Sequence, residues 1–527
     1  MYKPDPIGFA QLDPIKGIQT LKLVKRNILA RIALMIFLAG CATQGTSFNY
    51  PAPPVVSSVI SPRVALKNEL DGIIGRELLP YSLASIKVVS LKSGSILYET
   101  NPYLLMPAAS LQKLFTAAAV LSLLGPDQAI ETSISVDPDN TTLYLRGCGD
   151  PLLKTADLAR MVDELAGKLP TGGHYKLVGD TSCFDDAYWG SGWMWDDEPG
   201  PEAMYISALS VNGNTVHVTV SPGKTASSAL EVSVEPSTRY VVIENAGITG
   251  KPGEPCNVSL TRPAGDRDNH ILVSGTLAPG CKAVSRRLTV WRPELYTLTL
   301  LGELLEKSGI TAGPPTLRVA PADAIILTSI RFPISGIISV MLKKSDNLCA
   351  ENLLKYLAHA QSGQKGTSAG GEEAIREYLR MQGIPTDRLV IADGSGVSRY
   401  NLTNADTVTR LLVAAYKDQA TFPFFVNSLP LAGNDGTLAN RMKGTPAERR
   451  VKAKTGTMKG VSALAGYTVT ADGEPLAFSM IMENFVGPEQ RVRDLQDRIA
   501  VLLSTFSATP TEKATCRVRP VGELAGK

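Results

Sequence analysis

The chain has few of the residues that bind metals. It has 527 residues but only four histidines, and none of its seven cysteines forms a Cys-x-x-Cys pair. A zinc site would lack its usual ligands, so we expect no metal and no other cofactor. The net charge is only +3, and no basic stripe runs along the sequence. This balance gives no electrostatic case for binding nucleic acid.

The apolar run near the N-terminus, IALMIFLAGC, is too short to cross a bilayer, which takes about 20 residues. Lys22, Lys25, Arg26 and Arg31 precede it, and it ends in Leu38-Ala39-Gly40-Cys41. Basic residues, a short apolar core and small residues are typical of a secretory signal. The ending resembles a bacterial lipobox, in which Cys41 would be lipidated; an ordinary signal peptide with an incidental cysteine is the alternative. We therefore expect export to the cell envelope and a periplasmic lipoprotein, anchored in the outer membrane.

Export makes disulfides plausible for the six cysteines that follow Cys41. Six cysteines allow 15 sets of pairs, so the sequence alone leaves the pairing open. Cysteines close together in the same region are the natural candidates. We predict the pairs Cys148–Cys183 and Cys256–Cys281.

The predicted elements change in character along the chain. After a signal peptide (1–41) and a Ser-, Thr- and Pro-rich tether (42–62), helical and strand patterns alternate. Short β runs separated by Gly and Pro then dominate residues 131–320, which we call the β-rich segment. Helices and strands return afterwards, before a tail at 511–527. The sequence predicts an α/β (α+β) domain made from residues 63–130 and 321–510, interrupted by one or two inserted β-rich domains.

The stretch MPAASLQKLFTAAAVLSLLG sets a serine and a lysine at the start of an apolar helix. Residues three apart lie side by side on a helix, so Ser110 and Lys113 should face the same way. A serine hydroxyl becomes a nucleophile when a base takes its proton, and a lysine whose pKa is lowered can be that base. The spacing alone is weak evidence, because Ser221 and Ser362 also precede a lysine by three residues, in turns. A helix-capping serine beside a surface lysine is the plain alternative.

Two later motifs strengthen the catalytic interpretation. Ser345-Asp346-Asn347 and then Lys454-Thr455-Gly456-Thr457 follow in order, with the second at the start of a predicted edge strand. Such a strand can pair with an extended peptide, and Gly456 permits a close approach. Lys454, together with Thr455 or Thr457, can bind a substrate carboxylate. Lys454 can also help to keep Lys113 neutral. Backbone N–H groups of Ser110 and Thr457 can form an oxyanion hole.

These motifs and the segments LRGCGDPLL, ADGSGVSRYNL and LPLAGNDGTLANRMKGTP resemble the class C low-molecular-mass penicillin-binding proteins. That family consists of D-alanyl-D-alanine carboxypeptidases and endopeptidases, with a serine β-lactamase/transpeptidase-like domain and inserted β-rich domains. The resemblance, over about residues 65–505, implies an acyl-enzyme on Ser110 and Lys113 as its base. The resemblance also implies which residues complete the catalytic centre or bind substrate. They are Ser345, Asn347, Lys454, Arg399 and either Asp185 or Asp186. Shortly after the Lys-Thr-Gly motif many relatives have a polar, uncharged residue, whereas this chain has Lys459.

The implied partners are peptidoglycan stem peptides and β-lactam antibiotics. A β-lactamase is the first alternative, although Ser110 and Ser345 lie 235 positions apart in the sequence, where a plain β-lactamase has no such insertion. The second alternative is a non-catalytic cell-wall-binding lipoprotein on the same fold. No Gly-x-Ser-x-Gly elbow surrounds Ser110, which argues against a Ser-His-Asp hydrolase. The oligomeric state and the balance between carboxypeptidase and endopeptidase action stay open.

Overall fold

The structure is a computed structural model that describes residues 61–78, 81–170, 172–263 and 267–508. The predicted signal peptide, Cys41, nearly all of the tether and the C-terminal tail lie outside the described residues. Within them, no helix is both long enough and apolar enough to span a membrane.

The described residues form ten α-helices and eighteen β-strands. The helices are α1 (Pro62–Glu77), α2 (Gln112–Leu124), α3 (Thr155–Leu165), α4 (Pro293–Lys307), α5 (Ile334–Lys344), α6 (Asn347–Ser362), α7 (Ser368–Met381), α8 (Ala405–Lys417), α9 (Phe422–Ser428) and α10 (Glu489–Thr505). The strands are β1 (Leu83–Ser90), β2 (Ile96–Thr100), β3 (Ala129–Val136), β4 (Thr142–Gly147), β5 (His174–Asp180), β6 (Thr215–Ser221), β7 (Glu231–Glu235), β8 (Val242–Asn245), β9 (Ile248–Thr249), β10 (Asn257–Thr261), β11 (His270–Leu277), β12 (Val284–Thr289), β13 (Thr311–Ala312), β14 (Thr316–Leu317), β15 (Ile325–Pro333), β16 (Lys452–Met458), β17 (Val461–Val469) and β18 (Pro475–Glu483).

One antiparallel sheet joins the two ends of the described chain. Its strand order is β16-β17-β18-β1-β2, so early and late strands share it, as the sequence predicts. β1 and β2 form a hairpin around Ser93-Gly94, and β17 and β18 form another around Asp472-Gly473. β16 is an edge strand of this sheet, which confirms the prediction for the Lys454 motif.

Helices cover both faces of this sheet. Successive residues of β18 point to opposite faces: Phe478 and Met480 belong to the same core cluster as α1 and α10, whereas Ala477 and Ile481 pack with α2 and the helices around it. A strand buried on both faces needs the continuous apolar run that β18 has. The result is a three-layer α/β domain with α2 at its centre, where residues 112–121 are all buried.

Strands β3 to β15, most of them in the β-rich segment, form three further sheets with the orders β13-β5-β4-β3-β15, β12-β6-β7 and β10-β11-β8. β14 pairs with β5, and β9 pairs with β11. These sheets surround a hydrophobic core of their own. β15 pairs with β3 in antiparallel register, so the chain leaves and re-enters the α/β domain at neighbouring strands. The predicted division at residues 131 and 320 stays a prediction.

Both predicted disulfides are present, Cys148–Cys183 and Cys256–Cys281. Among the described residues Cys349 is a free, buried cysteine. His359 lies near the first pair, and the three residues have potential metal-ligand atoms within 4.8 Å of one another. Because the two sulfurs are joined to each other, they are not available as thiolate ligands.

Candidate active site

Ser110 lies in a single turn of 3-10 helix, Ala109–Leu111, that leads directly into α2. Two backbones approach this turn closely. A Cβ atom on Gly456 would lie 2.6 Å from the carbonyl oxygen of Ala108, and one on Gly396 would lie 2.0 Å from that of Ala109. Only glycine fits at such distances, so strand β16 and the loop after Asp393 can both reach the serine. The close approach predicted for Gly456 is confirmed.

Lys113 lies one turn further into α2 and is fully buried. Its Nζ atom is 2.9 Å from Ser110 Oγ, 2.5 Å from Asn347 Oδ1 and 2.6 Å from the backbone oxygen of Ser395. The Asn347 amide nitrogen donates to the backbone oxygen of Glu202, which fixes Oδ1 toward the lysine. Helix α2, the Ser-Asp-Asn motif and the Asp-Gly-Ser-Gly loop therefore all contact the Nζ atom of Lys113.

The Ser345-Asp346-Asn347 motif connects two helices. Ser345 ends α5 in the left-handed region, at φ 59°, which is uncommon for a residue with a side chain. Asp346 then caps α6, because its carboxylate accepts from the backbone N–H of Cys349 at 2.9 Å. The sharp turn directs both Ser345 and Asn347 to the serine side of the domain.

Lys454 is also fully buried, and its Nζ donates to Ser345 Oγ at 2.9 Å and to the backbone oxygen of Thr455 at 2.7 Å. Burial and the charge of Lys113 lower the pKa of Lys454 well below its usual value. Burial also lowers the pKa of Lys113, to about 8, although nearby acidic groups, Asp393 most strongly, act in the opposite direction. Lys113 can thus be neutral near physiological pH.

A cavity of about 660 Å³ opens at Ser110. The residues from the predicted site that line it are Ser110, Ser345, Asn347, Arg399, Thr455 and Thr457. Lys113 and Lys454 lie buried next to these residues. Lys459 also lines the cavity, and Arg399 donates to its backbone oxygen. The arrangement can activate a hydroxyl, relay a proton through Ser345 and receive an extended ligand along β16.

Asp185 is not among the cavity's lining residues. Its carboxylate pairs with the buried Lys355, whose Nζ also donates to the backbone oxygen of Ala187 at 2.6 Å. Asp186, the alternative candidate, lines a different cavity. The acidic residues of the β-rich segment that do line the serine cavity are Asp196, Asp197 and Glu202.

Comparison with known proteins gives the family. The model of the D-Ala-D-Ala carboxypeptidase 3 (S13) family matches residues 66–506. The chain belongs to that family. It is 34% identical to a D-alanyl-D-alanine carboxypeptidase of an Actinomadura species, over 86% of this chain and 88% of the relative. It is 27% identical to the D-alanyl-D-alanine carboxypeptidase DacB of Haemophilus influenzae, over 75% of this chain and 84% of the relative.

A solved structure agrees with this assignment. Penicillin binding protein 4 from Haemophilus influenzae superimposes with a TM-score of 0.74 at 25% identity, over 83% of this chain and 99% of that one. The predicted fold class is thus confirmed. Together with the family, the relatives support serine-type D-alanyl-D-alanine carboxypeptidase activity and penicillin binding, and they favour this function over the β-lactamase alternative.

Two acidic residues support the site of this S13 protein, although the sequence analysis did not single them out. Glu351 Oε1 accepts from the backbone N–H groups of Gly394 and Ser395, at 3.1 and 2.8 Å. Asp393 accepts from the backbone N–H groups of Gly396 and Ser398, at 2.7 and 2.6 Å. These bonds fix the loop whose Ser395 carbonyl accepts from Lys113. Glu351 follows Asn347 by four residues on α6, so helical spacing could have indicated it.

We expect Glu351 to act through its acceptor oxygen rather than its charge. Burial, and then the neighbouring charge of Asp393, raise the pKa of Glu351 well above its usual value, which favours the protonated carboxyl. Glu351→Gln keeps an acceptor and should retain nearly the wild-type rate of penicillin acylation at pH 7. Glu351→Ala leaves two buried N–H groups unpaired and frees the loop at Lys113, and it should slow acylation roughly 10- to 100-fold.

Stopped-flow or quenched-flow acylation of the two variants at pH 7 measures this difference, and circular dichroism checks that both are folded. Equal rates for the folded Gln and Ala variants would contradict the prediction.

Proposed function

We propose that this chain removes the terminal D-alanine from peptidoglycan stem peptides through an acyl-enzyme on Ser110. The observation that carries the proposal is the environment of Lys113. A neutral amine has two N–H groups and one lone pair. The carbonyl oxygens of Asn347 and Ser395 can only accept, so they take the two N–H groups. The lone pair is left for the Ser110 hydroxyl, which of the three neighbours is the one that can donate.

The reaction then follows from these contacts. Lys113 takes the Ser110 proton while Oγ forms a bond to the carbonyl carbon of the penultimate D-alanine. Backbone N–H groups of Ser110 and Thr457 stabilise the oxyanion. The proton passes through Ser345 to the amine of the terminal D-alanine, and the C–N bond breaks. Water then hydrolyses the ester and regenerates Ser110. Penicillin acylates Ser110 in the same way and is released slowly.

The substrate's terminal carboxylate would meet Lys454, Thr455 and Thr457. A bound carboxylate raises the pKa of a lysine beside it, so substrate binding would favour the charged form of Lys454. Endopeptidase action needs only that the leaving amine belongs to a cross-linked peptide instead of a free D-alanine, and we propose both activities for this site.

The central prediction concerns Ser110 and Lys113. Ser110→Ala should abolish covalent labelling by penicillin in a folded protein. Lys113→Ala should slow acylation by about 10²–10⁴-fold, because a positioned base is lost. Lys113→Arg should be nearly as damaging, because a guanidinium stays charged and cannot take the proton. In the wild type, the rate should rise with pH through about 8 as Lys113 becomes neutral.

Mass spectrometry of the penicillin-treated protein locates the adduct. Ser221→Ala and Ser362→Ala are matched controls, because each of these serines also precedes a lysine by three residues, and both variants should label normally. An adduct on any residue other than Ser110 would refute the proposal.

The rim of the cavity carries charges of both signs. Arg399 and Lys459 are cations, and Asp196 and Asp197 are anions. A diaminopimelate side chain ends in one ammonium and one carboxylate, so both of its charges find a partner here. We propose that Arg399 binds the carboxylate and that Asp196 or Asp197 binds the ammonium, in place of Asp185.

Arg399→Ala should therefore discriminate between substrates. On a peptide ending in D-Ala-D-Ala whose side chain carries the carboxylate, we expect kcat/KM to fall about tenfold or more, because a charge-assisted bond is lost. On the same peptide with lysine in place of diaminopimelate, the rate should change little. HPLC detection of released D-alanine measures both. Equal losses on the two peptides would show that Arg399 has a structural role only.

We also propose that the mature protein is a periplasmic lipoprotein anchored through Cys41 in the outer membrane. The support is the Leu-Ala-Gly-Cys ending after a short apolar run. A single acyl chain holds a protein only marginally, whereas the several chains of a lipoprotein hold it firmly.

Cys41→Ser should therefore move the protein from the membrane fraction to the soluble fraction, or stall its processing. Immunoblotting of cell fractions measures this change. A wild-type protein that is already soluble in the periplasm would refute the anchor.

A further inference from the structure

A second cavity, of about 520 Å³, lies in the β-rich segment and is lined mainly by aromatic side chains. Trp189, Trp195, Trp291, Tyr188 and Tyr205 contribute to its wall. The chain has only four tryptophans, and the fourth, Trp193, packs edge-on against Trp189 with ring centroids 5.2 Å apart. All the tryptophans of the protein are thus gathered around one cavity that the proposed reaction does not use.

The rings of the aromatic wall pack against one another. Tyr188 and Tyr205 contact Trp291 edge-to-face, with ring centroids 5.2 and 4.8 Å apart. Trp195, in contrast, is 80% exposed, although burying an indole is favourable. An exposed indole beside a packed aromatic wall offers a flat apolar surface to a ligand.

One short segment of chain separates this cavity from the cavity at Ser110. Met194, Asp196 and Asp197 line the serine cavity, while Trp195 and Glu198 line the aromatic one. The segment is tied to the active site, because the indole N–H of the buried Trp193 donates to Asp393 at 3.0 Å. A ligand that fills the serine cavity can therefore continue over this segment into the aromatic cavity.

Polar groups border the aromatic surface. Asp186 and Glu198 contribute carboxylates to the lining, and Tyr205 and Arg262 both contact the Glu198 carboxylate. Flat apolar faces bordered by hydrogen-bond acceptors match a pyranose ring, whose C–H faces are apolar and whose edge carries hydroxyl groups. The guanidinium of Arg267 already lies 5.4 Å from the centre of the Trp291 ring, which disfavours a cationic ligand at the same face.

We infer that the aromatic cavity binds a neutral N-acetylated amino sugar of the glycan strand that carries the stem peptide. The inference rests on the proposed function, because only a stem peptide bound at Ser110 would bring its own sugar to this cavity. The sugar stacks on Trp195, and its hydroxyl groups donate to the carboxylate of Asp186. The enzyme then recognises the peptide and the glycan at once.

The first test compares two substrates on the full-length protein. One is a disaccharide-pentapeptide, and the other is the same pentapeptide without the sugars. Trp195→Ala should raise KM for the disaccharide substrate about five- to tenfold, with no matching rise for the free peptide. Tyr81→Ala is the matched control, because Tyr81 is an exposed aromatic residue that lines neither cavity, and it should change neither KM. An equal change on both substrates would overturn the inference.

The second test does not depend on catalysis. The neutral disaccharide of two N-acetylglucosamine units is titrated into the full-length protein while tryptophan fluorescence is recorded. A saturable change that Trp195→Ala removes supports the inference, and no change in the wild type overturns it. Tetramethylammonium tests the cationic alternative, and a saturable response to it alone also overturns the inference. If neither substrate releases D-alanine, the proposed function fails, and this titration still decides what the cavity binds.

Discussion

The active site depends on the hydrogen bonds of one buried amine. Lys113 Nζ has two neighbours that can only accept, the oxygens of Asn347 and Ser395, and one that can also donate, the hydroxyl of Ser110. Each of the two acceptors is fixed by something else: Asn347 by the backbone of Glu202, and Ser395 by Glu351. The direction of the lone pair of Lys113 is therefore set before any substrate arrives, and reorganisation during the reaction is small.

The same burial sets the protonation state. Transfer of an ammonium out of water disfavours the charged form, and this is the main reason that the pKa of Lys113 falls to about 8. The sequence suggested that the charge of Lys454 helps to keep Lys113 neutral. The structure attributes the lowering to burial, and it is the pKa of Lys454 that the neighbouring charge lowers further. Nearby acidic groups, of which Asp393 acts most strongly, oppose the effect of burial on Lys113, so its pKa remains close to physiological pH instead of falling far below it.

The sequence predicted the elements whose signals are local. Apolar periodicity and turn residues gave the β1–β2 and β17–β18 hairpins, and the motif at Lys454 lies on an edge strand as expected. The position of Asp185 could not be predicted in this way. Asp185 and Asp196 both follow aromatic residues in the same acidic tract, and only the packing of the β-rich segment decides that one pairs with Lys355 while the other lines the serine cavity. Contacts between distant segments leave no periodic signal in one sequence.

The β-rich segment is part of the active site rather than an attachment to it. The backbone oxygen of Glu202 orients Asn347, and the indole of Trp193 donates to Asp393, which holds the loop beside Ser110. Both contacts join the β-rich segment to side chains of the active site, Asn347 and Asp393. A plain β-lactamase, which lacks this insertion, would have to orient such side chains through other contacts. The 234 residues between Ser110 and Ser345 therefore contribute to the geometry of the catalytic centre as well as to the surface around it. Loss of packing within the β-rich segment would release Asn347 and so disturb Lys113, even though no catalytic residue had been substituted.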